Sequence, residues 1–190
     1  MKIYILLGHP LNESYNGSIA EAYADKARRA GHEVRMQKLG EMNFNPNLFM
    51  GYNEVQALEP DLLEAQQNII WCEKWVIIYP VWWGSMPAIL KGFFDRTLLP
   101  GFAFKYHTKG PYWDKLLKGR TAELIVTSDS PSFWLRLKYR NSDIRSIKTA
   151  TLWFCGFSNI RTYRISSLRG KENQYRNKQT EILLNRIFKP

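Results

Sequence analysis

The 190 residues carry 45% hydrophobic and 14% aromatic side chains, which suits one globular domain spanning residues 1–190 and excludes a disordered chain. No apolar run approaches the roughly 18 residues of a membrane span, and MKIYILLGHP lacks the small-residue cleavage site of a secretory leader, so a cytoplasmic location is expected. The net charge of +10 is spread over several late segments without a nucleic-acid-binding motif, which argues against a nucleic-acid partner and for a general attraction of anionic small molecules.

In chain order, KIYILLG (2–8) is a continuous apolar run ending in glycine, the pattern of a buried parallel strand. NGSIAEAYADKARRAG (16–31) has helical spacing at Ile19, Ala20, Tyr23 and Ala27, a capping-box pattern at Ser18 and Glu21, and a stop at Gly31. HEVRMQKL (32–39) alternates imperfectly, as a strand at or near a sheet edge would. Residues 40–58 form a long connection rich in Asn, Pro and Gly, and PDLLEAQQNIIWCEK (60–74) reads as a helix with Pro60 near its start.

WVIIYP (75–80) is a second buried strand, and PAILKGFFDRTL (87–98) a helix with Pro87 in its first turn. Residues 100–120 read as an irregular, aromatic-rich excursion. TAELIVTS (121–128) is a third buried strand, IRSIKTATLWFCGF (144–157) a helix ending near Gly156, IRTYRIS (160–166) a last strand and 171–188 a terminal helix. Cys72 and Cys155 sit in apolar surroundings without metal-ligand spacing, and read as reduced, buried thiols.

Five strands separated by helices predict an α/β fold with one parallel sheet covered on both faces. Placing the more polar second strand at the edge gives the order 2-1-3-4-5, with a switch point between the first and third strands. Ligands in such sheets bind outside the carboxyl ends of the strands, which here means the loops at 8–17 and 80–87.

The first loop, GHPLNESYNGS, is polar and leads into a helix N-terminus, where backbone N–H groups and the helix dipole favour an anion. His9, Ser14 and Asn16 supply donors, Tyr15 an apolar ring edge. For Ser14, Asn16 and Ser18 the competing reading is helix capping alone. The loop is neither a Walker loop nor a G-x-G-x-x-G fingerprint. The second loop, PVWWGSMP, offers aromatic walls in Trp82 and Trp83 and backbone donors around Gly84. That combination suits a planar tricyclic ring, although two such rings also serve as core plugs. The third loop, VTSDSPSFW, brings Thr127 and Ser128. Asp129 sits awkwardly beside an anion, and its alternative role is to cap the following segment.

The pieces GHPLNESYNGSIAEA, MNFNP, YPVWWGSMPAILKGFFDR, GFAFKY, KGP and FCGF together resemble the NAD(P)H:quinone oxidoreductases, the diaphorase-like branch of the flavodoxin-like fold. The resemblance implies a three-layer sandwich, a non-covalent flavin (FMN or FAD), hydride transfer from NADPH or NADH to a quinone-like acceptor, and a homodimer. It implies that His9, Ser14, Tyr15 and Asn16 hold the flavin phosphate and ribityl chain, that Pro80, Val81, Trp82, Trp83 and Gly84 hold its ring with Trp83 facing it, and that Thr127 and Ser128 belong to a third flavin loop. Tyr106 resembles an aromatic that lines the acceptor pocket from the partner subunit.

The chain departs from the family where many members carry Thr-Thr-Gly-Gly followed by a tyrosine and a histidine. Here the loop reads TSDSPSFWLRLKYR, Tyr139 is the nearby tyrosine and no histidine follows His107. No catalytic residue is assigned. His107 reads as a surface histidine rather than a proton donor, and water can supply the proton. The alternative reading is a flavin-binding ancillary subunit that regulates a membrane transporter.

Overall fold

The computed structural model describes residues 1–54 and 56–189. Its elements run β1 (Lys2–Leu7), α1 (Tyr15–Arg29), β2 (Glu33–Lys38), α2 (Pro60–Trp71), β3 (Lys74–Pro80), α3 (Ala88–Thr97), β4 (Phe104–Tyr106) and β5 (Trp113–Lys115). There follow β6 (Thr121–Thr127), α4 (Ser132–Leu137), α5 (Ser142–Arg145), a π-helical segment (Ser146–Trp153), β7 (Ser158–Ile165) and α6 (Asn173–Ile187). The parallel sheet is ordered β2-β1-β3-β6-β7, the order expected from the polarity of the strands. Ile5 lies opposite Met36 on one side and Val76 on the other, so β1 and β3 occupy the centre.

Strict alternation along the central strands divides the core into two layers. Ile3, Ile5 and Leu7 join Val76, Ile78 and Ile125 under α1 and α6. Tyr4 and Leu6 join Trp75, Ile77 and Tyr79 under α2, α3 and the π-helical segment. Both layers are buried, and each fully buried aliphatic side chain contributes about 1.5–3 kcal/mol relative to exposure.

Several boundaries differ from expectation for local reasons. The cap of α1 is Ser14, not Ser18: Ser14 Oγ accepts the Gly17 N–H at 3.2 Å, and Ser18 already lies in the first turn with its hydroxyl donating to the Tyr15 carbonyl. A Cβ at Gly17 would meet the Asn12 carbonyl oxygen at 1.9 Å, so only glycine lets the preceding loop close this tightly on the helix. Pro87 precedes α3 as its cap residue rather than entering the helix.

The excursion at 100–120 contains the hairpin β4–β5. Trp113 stacks on Phe154 at 4.5 Å and donates its indole N–H to the Phe154 carbonyl, so the hairpin covers the end of the segment expected as an ordinary helix at 144–157. That segment opens as α5 and widens into π geometry, where the Thr151 hydroxyl donates to the Ser146 carbonyl five residues back. α4 falls in the stretch that carries no helical period long enough to read. Cys72 and Cys155 are buried and unpaired, and burial pushes both thiols up to about 12.

Candidate functional site

The carboxyl ends of β1, β3 and β6 meet the N-terminus of α1 around a cavity of about 890 Å³. His9, Ser14, Tyr15, Asn16, Pro80, Val81, Trp82, Thr127 and Ser128 line it. Nine of the twelve positions singled out from sequence therefore converge on one space. Trp83, Gly84 and Tyr106 do not line it.

The three loops are bonded to one another. Val81 N–H donates to the Thr127 carbonyl at 2.8 Å, and Thr127 Oγ1 donates to Asn16 Oδ1 at 3.1 Å in a buried contact. The His9 ring meets Trp82 edge-on at 5.5 Å. His9 Nδ1 lies 2.9 Å from both the backbone nitrogen and the carbonyl oxygen of Leu11, which leaves Nε2 as the ring nitrogen without an assigned partner. Burial lowers the His9 pKa from its ordinary value, which favours the neutral imidazole.

At the α1 end Ser14 Oγ takes the Gly17 N–H, the N–H groups of Tyr15 and Asn16 have no intrahelical acceptor, and both residues line the cavity beside a fixed cation. That cation is Arg176 of α6. Its guanidinium lies 5.6 Å from the Tyr15 ring and donates to the carbonyls of Lys171 and Leu168. Tyr15 in turn donates its hydroxyl to the Arg176 carbonyl at 2.8 Å, and burial raises its pKa. Tyr15 thus docks α6 against α1 as well as lining the cavity. In the sequence Arg176 is one of many basic residues of the last third of the chain. Its place is set by how α6 packs, and local spacing carries no signal for that.

Trp82 and Ser85 exchange backbone hydrogen bonds at 2.9 Å, closing a two-residue turn with φ of 50° at Trp83 and 72° at Gly84. Positive φ at both central positions is the type I′ pattern. The geometry turns Trp82 into the cavity and leaves Trp83 fully exposed at the tip, the reverse of the expectation that Trp83 faces the site. Tyr139 packs on this turn: a Cβ at Gly84 would meet its ring carbon at 3.0 Å. Ser142 Oγ donates to the Gly84 carbonyl at 2.7 Å. The segment after α4 therefore braces the second loop from outside.

The third loop has a different support from a glycine pair. Ser128 Oγ bonds Ser130 O and Ser166 Oγ, Ser132 Oγ bonds Ser166 Oγ, and the N–H groups of Ser167 and Leu168 donate to Ser130 and Ser128 carbonyls. Asp129 is exposed at the cavity and does not cap α4, whose cap residue is Pro131 without a side-chain bond. His107 pairs with Asp114 across the hairpin at 3.0 Å, and that hydrogen bond lowers the Asp114 pKa. Tyr106 stands exposed on β4, at a second cavity of about 500 Å³ bordered by Met86, Phe94, Phe104 and Phe154. Among the described residues no cluster of His, Cys, Asp and Glu is arranged to hold a metal ion, and no helix is long and apolar enough to cross a membrane.

A family model described as flavodoxin-like fold matches residues 1–186. The chain belongs to the flavodoxin-like family. This flavodoxin-like protein is 31% identical over 181 residues to a ribosyldihydronicotinamide dehydrogenase (quinone) of Pongo abelii, covering 82% of this chain and 77% of that one. It is 29% identical over 192 residues to NAD(P)H dehydrogenase (quinone) 1 of Rattus norvegicus, covering 86% and 68% respectively. Among solved structures, an NAD(P)H:quinone oxidoreductase from Methanothermobacter marburgensis superposes with a TM-score of 0.81 at 24% identity, over 98% of this chain and 96% of that one. The structural likeness shows the shared fold, and the curated relatives show the branch. The flavodoxin-like protein is an oxidoreductase of the NAD(P)H dehydrogenase (quinone) type.

Proposed function

We propose that the 190 residues act as one domain that binds FMN or FAD non-covalently and works as a cytoplasmic flavin oxidoreductase. The bound flavin supplies two-electron chemistry, taking a hydride from NADPH or NADH and passing it to a quinone-like aromatic acceptor in a ping-pong cycle. The observation that carries this reading is the single cavity that joins a helix N-terminus to an aromatic wall through three mutually bonded loops.

The residues present suit such a group. One end holds the N-terminus of α1 and the Arg176 guanidinium, with the Glu13 and Glu21 carboxylates at its border, and the dipole and the guanidinium suit a phosphate. The other end offers the flat face of Trp82 with the Pro80–Val81 backbone beside it, and suits a planar ring. His9, Ser14, Tyr15 and Asn16 would hold the phosphate and chain. Pro80, Val81 and Trp82 would hold the ring, with Thr127 and Ser128 along its polar edge. Trp83 and Gly84 would contribute through the turn itself, by aiming Trp82 and presenting backbone to solvent-side ligands. Neutral His9 keeps a donor or acceptor at Nε2 inside the cavity without adding charge beside the aromatic wall. No side chain is assigned as the catalytic acid.

Tyr106 lines a separate cavity of its own chain and is exposed there, a position that supports a homodimer in which it reaches the partner's acceptor pocket. Purified protein supplied with FMN or FAD should turn yellow and bleach under NADPH or NADH without air. The mass of the flavin released on denaturation identifies the bound form. A protein that takes up neither flavin overturns the proposal.

A further inference from the structure

Between β7 and the turn that aims Trp82 lies a buried ion pair that takes no part in the cavity. Arg164 of β7 and Asp143 of α5 meet at 2.8 Å, the carboxylate wholly buried and the guanidinium nearly so. As a source of stability the pair is poor. Among the described residues neither Asp143 oxygen nor Arg164 Nη1 has a hydrogen-bond partner, and apolar groups often replace such a pair without loss. Its place says more. Asp143 directly follows Ser142, whose hydroxyl donates to the Gly84 carbonyl at 2.7 Å, and the same segment carries Tyr139, whose ring packs on Gly84. Between Tyr139 and Ser142 the chain reverses through Arg140 and Asn141 at φ of 50° and 53°, a region that residues other than glycine rarely adopt. Arg164 Nη2 also lies 3.4 Å from Asn141 Oδ1, and the Tyr79 hydroxyl donates to the Asp143 carbonyl at 3.0 Å.

We propose that Arg164 is a positioning residue for the aromatic wall: by pairing with Asp143 it fixes the reversal at Arg140 and Asn141, which sets Tyr139 and Ser142 against the Trp82–Ser85 turn. Each link is a direct contact, from Arg164 to Asp143, from the Asp143 segment to Gly84, and from the Gly84 turn to Trp82. A buried charge suits this task because it accepts few alternatives. An apolar side chain at position 143 could shift against its neighbours at small cost, whereas a carboxylate moved away from Arg164 would be buried alone. The contact is made through Nη2 only, so the site asks for a cation at that point and not for a forked fit. The ordering of the turn stands on these contacts; its effect on a bound flavin rests on the reading above.

The test is amide hydrogen exchange at Trp82 and Ser85, which bond each other's carbonyls across the turn, in the full chain without and with FMN or FAD. Asp143→Val with Arg164→Met removes both charges together, and should keep the urea midpoint while raising exchange at both amides at least about tenfold. The flavin should bind that variant about tenfold more weakly, a change that a purely structural role at constant stability would not produce. Arg164→Lys should hold exchange within about threefold of the parent, since one ammonium can meet the same oxygen. Unchanged exchange in the apolar pair overturns the proposal, as does a lysine variant that exchanges as fast as that pair. Faster exchange with an unchanged flavin affinity overturns the assignment to the wall. Should the apolar pair unfold the chain, the parent decides. Ser85 and Arg145, whose amide bonds the Asn141 carbonyl, should then show protection within about threefold of each other, and a Ser85 that opens far more readily overturns the proposal. A parent that binds neither flavin removes the reading above and leaves the exchange results standing.

Discussion

Trp83 holds a φ of 50°, a region that costs a bulky side chain about 1–2 kcal/mol, and it does so with its ring wholly in solvent. Its neighbour Trp82 benefits from the same turn by being aimed at His9 and the cavity. Trp82→Ala should therefore weaken flavin binding about tenfold or more, or about 1.4 kcal/mol, whereas Trp83→Ala and Trp113→Ala should stay within about threefold in fluorescence titrations. Equal losses at Trp82 and Trp113 would remove the wall assignment. His9 gives a pH prediction. Its folded pKa is depressed by burial below 6.5, so the stability it contributes is present above the unfolded value and lost as pH falls through the folded one. An NMR titration should put the His9 midpoint below that of the urea-unfolded chain. A midpoint at or above 6.5 would mean that the ring is not desolvated in solution.

At the scale of elements, the long connection before α2 is anchored to the core by a buried side chain of α3. Arg96 of α3 is fully buried, donates to the Asn45 and Ala57 carbonyls, and pairs with Glu59 at 2.9 Å. Burial alone would raise the Glu59 pKa, but hydrogen bonds from Asn45 and Arg96 bring it below the ordinary value. Arg96→Met should cost about 3 kcal/mol in urea unfolding and open residues 42–54 to proteolysis. An unchanged midpoint would show that the connection holds itself. The elements legible in the sequence were those whose pattern is local. Ile3–Leu7 and Val76–Tyr79 are apolar on both faces because both faces are covered, and that reads directly as central strands. The hairpin β4–β5 has three residues in each arm and α4 has six, too few for a period to emerge. The capping box at Ser18 and Glu21 fitted the rule one turn late, because Ser14 wins through a close approach that only Gly17 allows.

For the whole molecule, the topology was legible because a parallel sheet with covered faces leaves few strand orders once the polar strand goes to the edge. The same logic located the loops of the cavity, since a switch point is a property of the order and not of any motif. What stayed hidden was set by packing between distant elements: Arg176 reaches the cavity through the Tyr15–α6 contact, and Tyr139 reaches Gly84 because the chain reverses at Arg140 and Asn141, both with φ near 50°. Sequence spacing between 84 and 139 holds no trace of that approach.

The bonds that tie Asn16 to Thr127 and Thr127 to Val81 bring one more property into view. Walls already joined to each other keep their shape without an occupant, so little ordering entropy opposes the arrival of a ligand and little structure is lost when it leaves. Such a receptacle behaves as an exchangeable socket and not as a folding core built around its guest. The loaded fraction of the protein would then follow the free flavin concentration around it, rising and falling with supply while the empty form persists intact.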